Sequence, residues 1–122
     1  MKFRDYFANE FETSENHYIP TLRSHYYSVR NEQAMEALKS LAKKRNAIIK
    51  YVDNERHEMI FEASNYAVTA TFTSISYTVT AVDFLVVTEA IFPFGKGKKI
   101  IEQLYEELNQ ILLFKGLSLY SK

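Results

Sequence analysis

Residues 67–89 read AVTATFTSISYTVTAVDFLVVTE, and the fold turns on how that stretch is understood. From Ala67 to Ser76, Val68, Ala70 and Phe72 fall on one side, with Thr69, Thr71 and Thr73 on the other. That period of two belongs to a strand with two unlike faces. Val79 to Glu89 continues the alternation, setting Val82, Phe84 and Val86 against Ala81, Asp83, Leu85 and Glu89. The connection between the two segments is too short for a crossover, so they pair antiparallel.

Upstream, Ile48 to Val52 and Glu58 to Ala63 flank the polar turn Asp53-Asn54-Glu55-Arg56, which predicts a hairpin, and Ser64-Asn65 opens the next turn. Four consecutive strands make a meander. Leu22 to Val29, rich in Tyr and following Pro20, reads as an additional edge strand. Before the meander, Ala34, Leu38, Leu41 and Ala42 form an apolar helical stripe with Asn31 as its N-cap. This helix ends near Arg45-Asn46, where Asn tolerates a left-handed backbone and cations complement the helix C-terminus. After the meander, Pro93 stops the sheet and Phe94-Gly95-Lys96-Gly97 forms a loop. A helix then runs from about Lys98 to Lys115, with Ile100, Ile101, Leu104, Leu108, Ile111 and Leu112 facing the core. Gly116 is expected to close it as a left-handed cap, with Leu117 packing back on Leu112. At the other end, Phe3, Tyr6, Phe7 and Phe11 recur at steps of three and four, the pattern of a short amphipathic helix with an aromatic face.

The expected fold is α+β: a two-layer sandwich of a four- to five-stranded antiparallel meander with both main helices on one face. Residues 1–16 are assigned to the N-terminal helix and a linker, 17–117 to one domain, and 118–122 to a tail. A chain of 122 residues fits one domain, and 47% hydrophobic content supplies a core. Fifteen basic residues balance fifteen acidic ones, which weighs against a dedicated nucleic-acid binder. With no cysteine, disulfide scaffolds, thiolate nucleophiles and Cys-ligated metals are excluded. No apolar run approaches the ~20 residues of a membrane span, and the opening residues are not a signal peptide, so a cytoplasmic location is expected.

Five features bear on function. Gly95, Lys96, Gly97, Lys98 and Lys99 precede a helix, where free amides attract anions and lysines run against the helix dipole. They form a candidate anion site. The spacing is not that of a P-loop, and Glu102 lies within reach of Lys98 and Lys99, so an ordinary solvated turn outweighs it. Lys39, Lys43, Lys44, Arg45 and Lys50 form a basic cluster that reads better as a solvated helix end than as a nucleic-acid surface. His17, His25 and His57 show no metal-binding spacing, and no metal or other cofactor is expected. No nucleophile elbow occurs, and Asp83 and Glu89 stand roughly 20 Å apart along one strand face, too far for paired carboxylates. Asp83 reads as a solvated charge, and an enzyme is the weakest of the readings. Finally, Ile60, Ile75, Val79, Leu85 and Val87 share the outer sheet face with the threonines. So many aliphatics need a cover, supplied either by Phe3 and Phe7 of the N-terminal helix or by a second copy of the chain.

Three segments, KFRDYFANEFE, Thr80-Ala81-Val82-Asp83-Phe84 and PFGKGKKIIEQLYEEL, resemble a group of small uncharacterised bacterial cytosolic proteins with a helix–meander–helix domain. The element order is similar, more distantly, to helix-on-sheet modules of lipoproteins that scaffold outer-membrane assembly. That resemblance implies a shape and no function. From the residues, the leading reading is a non-enzymatic interaction module, a homo-oligomer formed through the outer sheet face. The alternative is a binder of an amphipathic or anionic small molecule, lodged between helices and sheet or at the Lys96–Lys99 loop.

Overall fold

A computed structural model describes residues 8–89 and 93–116. The fold is α+β, and the described residues form seven antiparallel strands in one sheet and two α-helices. In chain order these are β1 (Glu10–Glu12), β2 (His25–Tyr27), α1 (Asn31–Lys44), β3 (Ile48–Asp53), β4 (Glu58–Glu62), β5 (Tyr66–Ser76), β6 (Val79–Thr88), α2 (Lys96–Ile111) and β7 (Phe114–Gly116). The order across the sheet is β3-β4-β5-β6-β2-β7, and β1 also pairs with β6.

The meander forms as the alternation predicts. Val68 pairs with Val86, Ala70 with Phe84 and Phe72 with Val82, and all six side chains are buried. They share one hydrophobic cluster with Met59 and Phe61 of β4, Ala34, Leu38 and Ala42 of α1, and Ile101, Leu104 and Leu108 of α2. In β3 a bulge between Ile49 and Tyr51 adds one residue, so that Ile49 and Val52 both pack on that cluster while Ile48 and Tyr51 are exposed. Asn46 takes the left-handed backbone, φ 59°, just beyond the end of α1.

Seven strands replace the expected four or five because three-residue segments complete the sheet. β2 lies between β6 and β7, so it is interior, not an edge. It is also shorter than Leu22–Val29, since Pro20–Leu22 forms a single 3₁₀ turn. Phe11, placed by its spacing on a helical aromatic face, is instead the buried centre of β1; Phe3, Tyr6 and Phe7 lie outside the described residues. The second helix starts at Lys96 and stops at Ile111. Leu112 is already extended, the Leu113 carbonyl accepts the Ser28 N–H, and Phe114 pairs with Tyr27. Gly116 is therefore part of β7 and not a helix cap, because pairing with β2 wins over continued helix. Asn31 is the first helical residue of α1 and Arg30 its N-cap. The Asn31 side chain reaches inward instead, donating to the Phe72 carbonyl and accepting from the Thr80 hydroxyl.

β1 and β2 share one edge of β6. Glu10–Glu12 stand opposite Val87–Leu85, and His25–Tyr27 opposite Val82–Thr80. Residues 13–24 leave the sheet between them, and the gap falls at Asp83. One carboxylate oxygen of Asp83 accepts hydrogen bonds from the Thr13 hydroxyl at 2.6 Å and the Ser24 hydroxyl at 2.5 Å. The excursion is drawn together at its base, where Ser24 N–H donates to the Ser14 carbonyl and Ser14 N–H to that of Leu22. Asp83 is thus a fastener, not the solvated charge that its strand position suggests. Replacing it by Ala leaves two nearly buried hydroxyls without their acceptor, so Asp83→Ala should lose about 1–3 kcal/mol in urea denaturation. Asp83→Asn keeps an acceptor oxygen there and should recover part of the loss; an Ala variant as stable as the wild type would show that the clasp contributes nothing.

Candidate functional site

A pocket of about 360 Å³ opens beside the excursion, lined by Pro20, Thr21, His25, Glu102, Tyr105, Glu106, Asn109 and Phe114. Three chain segments build it: the 3₁₀ turn and β2, one flank of α2, and β7. On α2, Glu102, Glu106 and Asn109 follow at i, i+4 and i+7, which aligns them along the helix next to the buried stripe. β7 brings Phe114, whose ring stacks on His25 at 4.7 Å between centroids. Tyr105 stacks on the same imidazole at 3.6 Å and is nearly parallel to it, at 4°.

The polar groups around His25 determine its protonation. The Tyr27 hydroxyl donates to Asn109 Oδ1 at 2.6 Å, and His25 Nδ1 lies 3.2 Å from the same oxygen. An oxygen only accepts, so Nδ1 carries the proton and Nε2 the lone pair. Nε2 has no hydrogen-bond partner among the described residues, and the ring lines the pocket. His25 is only 8% exposed, and burial lowers its pKa to about 4, an effect the Asn109 contact opposes in part. The imidazole is neutral at pH 7. Burial raises the pKa of both Tyr27 and Tyr105, keeping them as phenols. The Tyr105 hydroxyl donates to the Val82 carbonyl at 2.6 Å and lies 3.3 Å from the Thr13 hydroxyl, which ties the pocket wall to the Asp83 clasp. At the rim, burial pushes Glu102 up, but Lys98 at 2.7 Å, with Thr21 and Lys99, holds it below the ordinary carboxylate value. Glu106 is exposed and has no ion-pair partner among the described residues.

The other expected sites have their own geometry. Gly95 is left-handed, φ 76°, and caps α2. Gly97 is buried under β1, and a Cβ there would stand 2.9 Å from Phe11 Cδ2. Lys98 pairs with Glu102, while Lys96 is half-buried and Lys99 exposed. This run positions α2 against the sheet. The basic cluster is dispersed: Lys39 pairs with Glu36, Lys50 with Glu62, and Arg45 turns inward to Glu107 and the Tyr66 hydroxyl. His57 occupies the β3–β4 turn with φ 56°.

On the pleat opposite the core, pairing sets Tyr51, Ile60, Thr69, Leu85 and Glu12 in one row, and Ile48, Glu62, Ala67, Val87 and Glu10 in the next. Ile48 is 62% exposed, Tyr51 44%, Val87 41% and Ile75 39%, while Ile60, Val79 and Leu85 are half-buried. Phe3 and Phe7, the proposed intramolecular cover, lie outside the described residues.

Among the described residues no group of His, Asp and Glu side chains is placed to hold a metal ion, and no helix is long and apolar enough to cross a membrane. By sequence spacing alone His25 has no ligand role. Its pocket draws on residues far apart in the chain, and the one local signal was the polar spacing of Glu102, Glu106 and Asn109. No protein-family model matches the chain, and neither a curated protein nor a solved structure matches it.

A buried neutral imidazole couples stability to pH. His25 titrates near 4 when folded and near 6.5 when unfolded, so between these values the unfolded chain binds more protons. Its contribution is fully present above pH 6.5 and is lost as pH falls towards 4. The cost of the full excursion is about 3 kcal/mol. Denaturation measured from pH 7 to pH 4 should show that fall in the wild type and a shallower one in His25→Gln. Equal slopes would place the proton uptake elsewhere.

Proposed function

We propose that this chain is a non-enzymatic interaction module that self-associates through the outer face of its sheet. The reading takes the fold as a two-layer sandwich, with α1 and α2 roofing one pleat and the second pleat left for another copy. One observation carries it: the paired rows from Ile48 and Tyr51 on β3 to Val87 and Leu85 on β6 form a mainly apolar band, interrupted by Thr69 and by Glu62, which pairs with Lys50. Large apolar side chains exposed on β3, β5 and β6, with the half-buried Ile60 of β4 between them, are a surface suited to a partner.

The distribution of charge favours a second copy. Lys50 lies at the β3 end of the band, and Glu10 and Glu12 at the β1 end. A two-fold axis near Ile60 and Thr69 exchanges those ends, bringing Lys50 of each copy towards Glu10 and Glu12 of the other.

The expected solution mass is twice 14.3 kDa. Ile48→Lys combined with Val87→Lys should return it to the single-chain value. Both side chains are exposed, so circular dichroism and the thermal midpoint should stay close to those of the wild type. A wild type that remains a single chain at several hundred micromolar, or a double variant that keeps the doubled mass, overturns the proposal.

A further inference from the structure

A second concave surface lies apart from the outer sheet face. We infer that the pocket between the 13–24 excursion, α2 and β7 binds a flat aromatic molecule that carries a protonated amine, with the ring against Phe114 and Pro20 and the amine at Glu102 and Glu106.

Volume, lining and polarity each support this. About 360 Å³ lies within the range of small-molecule sites, which are mostly apolar with a few convergent polar groups. The walls offer Phe114, Pro20 and the His25–Tyr105 stack, surfaces that suit a planar ring. The polar groups are chiefly acceptors. His25 lines the pocket, and its Nε2, without a protein partner among the described residues, can accept a hydrogen bond from a ligand N–H. Glu106, one helical turn from Glu102, has no cation partner among the described residues. Lys98 neutralises Glu102 in part but is not among the residues lining the pocket. An anionic ligand would meet two carboxylates and a lone pair, and would be repelled. A neutral aromatic would fill the volume, and one with a ring N–H would serve Nε2, but it would leave the Glu106 carboxylate unanswered. Only a donor-bearing cation satisfies both, through a charge-assisted hydrogen bond at the rim.

Tryptamine, indole and indole-3-acetate share one ring system and differ in charge, which makes them suitable probes. Each is titrated into the full chain at pH 7 by calorimetry and by following the His25 imidazole resonances. Tryptamine should bind on the order of tenfold more tightly than indole, and indole-3-acetate should not bind measurably. Glu106→Gln should weaken tryptamine by a similar factor and leave indole unchanged. Since Glu106 is exposed, the variant should fold and keep the wild-type solution mass, which separates this site from the sheet-face contact. Equal affinity for the three probes, preference for the carboxylate, no binding of any, or a Glu106→Gln variant that binds tryptamine as the wild type does would each overturn the assignment.

Discussion

Strand β6 has two edges to satisfy, and the way the chain meets that requirement governs the rest of the molecule. One edge is taken by β5 over nearly its whole length. The other is divided between β1 and β2, which leaves a break where the backbone must turn out of the sheet and return. A break in a ladder exposes peptide groups, and here side chains replace the missing partner: Thr13 accepts the Phe84 N–H through its hydroxyl and donates its own N–H to the Phe84 carbonyl. Asp83 then holds Thr13 and Ser24 on one oxygen, so the two ends of the excursion are fixed at a single point.

From that point order passes to the pocket through Tyr105. Its hydroxyl is anchored on Val82 beside the clasp, and its ring lies flat on His25. A tyrosine held at its polar end has little freedom to swing, so the imbalance between burial and polarity is resolved by the imidazole, which stays neutral. Tyr27 and Asn109 add the hydrogen-bonding frame that decides which nitrogen carries the proton. The pocket's acceptor character is therefore a consequence of packing in the sheet and not of any one local motif.

This explains what could be read in advance. The meander and the two helical stripes are repeated over many residues, each position reinforcing the same period, and Val68, Phe72, Phe84, Leu38 and Leu104 all occupy the side their spacing indicates. β1, β2 and β7 are three residues each, too short to show a period, and they exist only because a distant strand offers an edge; Thr13 and Asp83 are 70 positions apart. Phe11 illustrates the ambiguity: its spacing from Phe7 suits a helix, but tertiary pairing places it under Gly97. Gly97 belongs to the run read as a candidate anion site, whereas its missing side chain makes room for an aromatic ring. The His25 pocket was illegible for the same reason as the short strands, since its walls come from residues 20–25, 102–109 and 114.

The sheet also limits how copies of the chain can meet. Edge-to-edge growth needs a long flat strand with unpaired amides, and neither terminal strand offers one. β3 is bent by the bulge around Lys50, which places an extra residue and a charge on that edge. Among the described residues β7 has three, with Lys115 in the middle and Gly116 at φ 149°. Both ends of the sheet thus carry features that discourage strand addition. On the pleat opposite the core, Ile48, Tyr51 and Val87 stay exposed with threonines set among them, and this is the face proposed above for contact with a second copy.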